Sequence, residues 1–102
     1  MGTAMNGDPD PGDDLLRRAG VGEPQALVKL FDLHRDRLRR MVRLRLDRRL
    51  QGRVDPSDVL QEAQLEVLRR AAAYAADPRI PPFLWLRLIT GQRLLALHRR
   101  HL

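Results

Sequence analysis

The sequence predicts an all-α fold: an antiparallel bundle of three helices, with a short helical turn and a disordered tail before it. Three observations lead there. Apolar residues recur at three-and-four spacing in three separate segments, the mark of helices with one buried face. Each segment is bounded by helix punctuation: Gln51-Gly52 at one stop, Asp55-Pro56 and Pro81-Pro82 at two starts. No run alternates apolar and polar residues as a half-buried strand does, and no internal repeat is present.

Residues 1–12 hold Gly, Pro and Asp with almost nothing to bury, so they read as a disordered acidic tail. Residues 13–102 form the folded domain. Asp13-Asp14-Leu15-Leu16-Arg17-Arg18 begins acidic and ends basic, as a helix dipole prefers, and reads as one helical turn that "AGVGEP" ends. From Glu23 to about Leu50 a long helix follows, its stripe drawn by Leu27, Leu30, Phe31, His34, Leu38, Met41, Val42 and Arg45. Asp55 is the N-cap of the next helix, with Pro56 at the first helical position, where a missing N–H is harmless. Asp58, three residues past the cap, approximates a capping box. This helix runs to about Ala73, with Leu60, Ala63, Val67, Leu68 and Ala71 inward and Tyr74 near its end. "AADPRIPP" is a loop. The last helix, "FLWLRLITGQRLLALHRRHL", is apolar over most of its circumference, through Leu84, Trp85, Leu88, Ile89, Leu95 and Ala96. Its remaining stripe holds Arg87, Thr90, Gly91 and His98. An antiparallel three-helix arrangement follows from these lengths and short connections.

A chain of 102 residues supports one modest core. Its formal net charge is +6, and of its 19 basic residues only Lys29 is a lysine. Guanidinium forks match phosphates and carboxylates, so an anionic partner is expected, nucleic acid first among them. A GC-rich genome also raises arginine over lysine, but does not account for the net charge. There are no cysteines, which excludes disulfides and thiolate metal sites. No apolar run nears the ~18 residues of a membrane span. The N-terminus lacks the basic-then-apolar order of a signal peptide. A cytoplasmic protein with no membrane partner is the expectation.

Two surfaces attract interest. With the second long helix turned inward on its apolar stripe, Asp58, Gln61, Glu62 and Leu65 fall together at i, i+3, i+4 and i+7 on one outward side. Such a patch suits a protein partner that presents arginines and an apolar knob, and it also reads as a solvated face with one leucine. Between Arg35 and Arg53 stand nine arginines against Asp36 and Asp47. They read either as a phosphate track or as a solvated helix surface. Trp85, among leucines, reads as core, although a tryptophan can stack on a base. His34, His98 and His101 do not form a convincing metal set, and His34 reads as a core histidine. No catalytic constellation or phosphate loop is present, so neither an enzyme nor a cofactor is expected.

Taken in order, three segments resemble region two of the bacterial extracytoplasmic-function (ECF) sigma factors, most of all those abundant in planctomycetes. "DPSDVLQEAQLEVLRR" resembles the group's D-x-V-Q-E helix through Asp58, Val59, Gln61 and Glu62. "FLWLRLITGQRLL" resembles its W-L-x-x-I-A-x-N helix through Trp85, Leu86 and Ile89. "LFDLHRDRLRRMVRLRL" resembles its opening helix. Pro82, Thr90 and Gln92 stand where the family often has phenylalanine, alanine and asparagine.

The resemblance implies a transcription-initiation factor domain. Asp58, Gln61, Glu62 and Leu65 would bind the clamp helices of the RNA polymerase β′ subunit. The loop Ala75–Pro82 and the last helix would recognise and melt the promoter minus-ten element, with Arg79, Arg87, Gln92, Arg93, His98, Arg99 and Arg100 meeting DNA and a base leaving the stack. An anti-sigma protein is a further partner of the family. The chain ends at Leu102 in mid-pattern, so a fragment is expected, without the helix-turn-helix that reads the minus-thirty-five element. Two alternatives stay open: a generic arginine-rich nucleic-acid-binding domain, and a protein-interaction module whose leucine-rich last helix self-associates or docks on a regulator.

Overall fold

The computed structural model describes residues 11–20 and 24–102. Four α-helices follow one another: α1 (Pro11–Gly20), α2 (Pro24–Arg45), α3 (Pro56–Ala76) and α4 (Pro82–His101). A 3₁₀ turn, Arg48–Leu50, joins α2 to α3, and there is no strand among the described residues beyond one isolated bridge between Gln51 and Val54. The all-α expectation therefore holds. The tail expected over residues 1–12 lies outside the described residues except for Pro11 and Gly12, which belong to α1. The single turn expected at 13–18 is a ten-residue helix, and it packs against the other three.

The long helix expected to reach Leu50 stops at Arg45. Asp47 explains the break. Its backbone is extended (φ −57°, ψ 138°), and its carboxylate accepts the Arg49 N–H at 2.8 Å, capping the 3₁₀ turn. A short acidic side chain that bonds its own neighbouring backbone competes with the helix. The break bends the chain so that Leu46 and Leu50 both enter the core. Gly52 then takes φ +86°, a left-handed turn conformation that a side chain would strain.

α3 starts as expected: the Asp55 carboxylate accepts the Ser57 N–H at 2.9 Å and Pro56 follows it. It ends three residues later than expected, at Ala76. Alanines favour the helix there, and Tyr74 is held inside by stacking on Trp85, ring centroids 4.4 Å apart, and by donating its hydroxyl to the Ile80 carbonyl. Burial pushes the Tyr74 hydroxyl pKa upward, with the Asp13 charge adding to it.

One core joins the helices. α2 and the turn supply Leu30, Phe31, Leu38, Val42, Leu46 and Leu50; α3 supplies Val59, Leu60, Ala63, Val67 and Ala71. Trp85 is buried, as expected, and His34 is half-buried against Phe83, its ring 5.0 Å away. Among the described side chains, two members of the α2 and α3 stripes face outward instead, Arg45 and Leu68; the expected stripe residue Leu27 lies outside them.

α4 departs furthest from expectation. Its buried face is Trp85, Leu86, Ile89, Thr90, Leu94 and Leu97, while Leu84, Leu88 and Leu95 face solvent. Thr90, expected on the polar stripe, is fully buried and donates its hydroxyl to the Leu86 carbonyl at 2.8 Å. A helix apolar nearly all round carries no phase in its pattern, so packing sets its rotation.

Candidate functional site

The α3 face lies as the spacing required. Asp58 and Gln61 are exposed, Leu65 is 60% exposed and Glu62 half-buried, all on the side away from Leu60, Ala63 and Val67. The N-cap at Asp55 fixes where the helix starts, and burial of every third or fourth residue fixes its rotation. Glu62 has a partner within the chain: Arg100, at the end of α4, brings a guanidinium nitrogen to 3.2 Å. One turn on, Glu66 pairs with Arg69 at 3.3 Å and Arg70 at 3.8 Å. Arg70 also donates to the Gln92 side chain at 3.2 Å, a second polar tie between α3 and α4.

The seven residues expected to meet DNA do not share one surface. Arg87, Gln92 and His98 line a groove between α2 and α4; Arg79, Arg93, Arg99 and Arg100 lie outside it. Arg79 is exposed in the loop and paired with Asp77 at 2.9 Å. Arg93 is half-buried, with an enclosed Nε that has no hydrogen-bond partner among the described residues. Arg99 is exposed, and Arg100 is engaged by Glu62.

His98 has structural work. Its Nε2 accepts the Asp47 backbone N–H at 3.2 Å, satisfying a donor orphaned where α2 breaks. That nitrogen is therefore occupied as an acceptor in this conformation. Asp47 itself is held ionised. Its pKa drops from 3.8 to about 2, first through the side-chain hydrogen bond from Arg49, then through the Arg49 N–H.

The groove was not foreseen from the sequence. Its wider part, about 460 Å³, is floored by Leu84, Leu88, Gly91 and Leu95 with Arg45 and Arg87 at its sides. It continues past those same two arginines along Arg37, Arg40, Met41, Leu44 and Phe83. Arg37 lies over the Phe83 ring, 3.8 Å from its centroid, so this rim is held in place by a cation–π contact. A signal was present in the outward spacing of Leu84, Leu88, Gly91 and Leu95, hidden because the opposite face of α4 is apolar as well.

What these arrangements offer is binding: an acidic and apolar face on α3, and an apolar groove with cationic walls between α2 and α4. No group of three His, Asp or Glu side chains among the described residues is placed to hold a metal ion. No described helix is long and apolar enough to cross a membrane. Compared with family models, curated proteins and solved structures, the chain matches none.

Proposed function

We propose that this chain is the polymerase-binding and minus-ten-reading domain of an ECF-type sigma factor, a cytoplasmic transcription-initiation module with no chemistry of its own. One observation carries the reading: Asp58, Gln61 and Glu62, which match the family's polymerase-binding helix, stand outward on α3 together with Leu65. In this reading they dock on the clamp helices of the β′ subunit, where arginines of the partner take up the carboxylates and an apolar side chain covers Leu65. Surplus arginine charge on and around α4 then engages promoter DNA through its phosphates, which position the domain without reading sequence.

The test is a binding titration of the whole chain with a β′ clamp-helix fragment. Wild type is expected to bind. Glu62→Arg is expected to abolish binding while leaving the circular-dichroism spectrum unchanged, since Glu62 sits at the surface. Absence of binding by the wild type would overturn the proposal. A second titration uses single-stranded and duplex DNA of one sequence, with preference for the single strand expected; equal affinity for any duplex would favour a generic arginine-rich nucleic-acid binder.

A further inference from the structure

Along α4, Leu84, Leu88, Gly91, Leu95, His98 and Leu102 are spaced four, three, four, three and four residues apart. This alternation is the a/d seam of a coiled coil. Here the seam points away from the core: Leu84, Leu88, Leu95 and Leu102 are 46–57% exposed. Four exposed leucines in register over about 27 Å of helix are not a scatter of surface residues. They make an apolar strip interrupted at Gly91 and His98.

The sides of the strip decide what covers it. Arg45 and Arg87 stand beside it, Arg37 and Arg40 prolong the rim along α2, and among the described residues no carboxylate lines either part of the groove. A second copy would bring arginines against arginines, which disfavours self-pairing. A nucleic-acid backbone satisfies the arginines but leaves four leucines in water. A helix with leucines at its own a and d positions and glutamates beside them satisfies both.

We infer that the α2–α4 groove seats one amphipathic helix of a protein partner, apolar along its a/d seam and acidic on its flanks. The inference does not depend on the polymerase reading, because none of its residues belongs to the α3 patch. Arg87, Gln92 and His98 line the groove and are also among the residues proposed for DNA, so a seated helix and DNA compete. Gly91 leaves a gap in the seam: a Cβ built there meets no atom within 4 Å.

The probe is a fluorescein-labelled 21-residue synthetic peptide with leucine at every a and d position and glutamate at e and g, whose like charges keep it from pairing with itself. Fluorescence anisotropy with the full chain is expected to show saturable binding that weakens several-fold between 50 and 300 mM salt. Leu88→Glu and Leu95→Glu are each expected to weaken it at least tenfold. Leu65→Ala, on α3, should leave it unchanged, and Gly91→Leu should tighten it. Equal binding by a scrambled peptide of the same composition would reduce the effect to charge adsorption and overturn the inference. So would binding unaffected by Leu88→Glu and Leu95→Glu, or a peptide-independent dimer in sedimentation equilibrium that Leu95→Glu dissolves. A single-stranded oligonucleotide whose affinity falls tenfold with Leu88→Ala would assign the strip to DNA instead.

Discussion

Arg100 reaches from the last turn of α4 to within 3.2 Å of the Glu62 carboxylate, in the middle of the outward face of α3. The two residues lie 38 positions apart and belong to the two surfaces assigned to different partners. Both are substantially exposed, 57% and 38% at the side chain, so the pair is screened by water. Exposed pairs of this kind contribute roughly 0.2–1 kcal/mol. Glu62 can therefore exchange Arg100 for an arginine of a docking protein at little cost, and the exchange returns Arg100 to solvent, free to meet a phosphate.

Removing the internal competitor should help docking. Arg100→Ala is expected to leave the urea unfolding free energy within about 1 kcal/mol of wild type. It should tighten binding to a β′ clamp-helix fragment by no more than about fivefold, the equivalent of one such pair. A loss of affinity in Arg100→Ala would mean that Arg100 contributes to docking directly.

The break after α2 predicts a pH dependence. Asp47 is depressed from 3.8 to about 2 in the folded chain, so folding favours its ionised form. Its contribution is complete above pH 3.8 and is lost as the pH falls toward 2. Urea midpoints measured from pH 5 to pH 2 should fall for wild type across this window. Asp47→Asn, which retains an acceptor for the Arg49 N–H but does not ionise, should show a shallower fall.

Gly91 sits within a continuous helix and not at a turn. Glycine in a helix interior is less favourable than alanine by roughly 0.5–1 kcal/mol. Since an added Cβ meets nothing within 4 Å, Gly91→Ala should stabilise the domain by about that amount, seen as a rise of several degrees in Tm.

How much of this was legible before the structure depends on the helix. In α3 local rules and packing agree except at Leu68, which faces outward: Asp55 and Pro56 mark the start, and the outward group from Asp58 to Leu65 was readable from spacing. In α2 the periodicity runs on through Leu46 and Leu50, so the pattern concealed a break made by one aspartate bonding its own backbone. α4 gave the least, because leucines surround it and only the neighbours select which of them are buried. For the same reason the DNA-binding set was assembled along the chain without its orientation, and the structure disperses it: Gln92 to Arg70, His98 to Asp47 and Arg100 to Glu62. The charge of arginine is visible in sequence, but its partner 22 or 38 residues away is not.

Thr90 gives the sharpest test of how α4 is rotated. Its side chain is fully buried and its hydroxyl bonds the Leu86 carbonyl four residues back. Valine has nearly the same shape. It forfeits one hydrogen bond, worth about 1 kcal/mol net, and offsets that by burying a methyl group, worth about 0.8 kcal/mol. Thr90→Val is therefore expected to stay within about 1 kcal/mol of wild type in denaturant unfolding and to leave DNA affinity unchanged. Thr90→Arg separates the two placements of this residue. On a solvent-facing DNA stripe an added arginine would strengthen DNA binding and make it more salt-dependent. In the core, where Thr90 is fully enclosed, it buries a charge, and the domain should lose its cooperative unfolding transition.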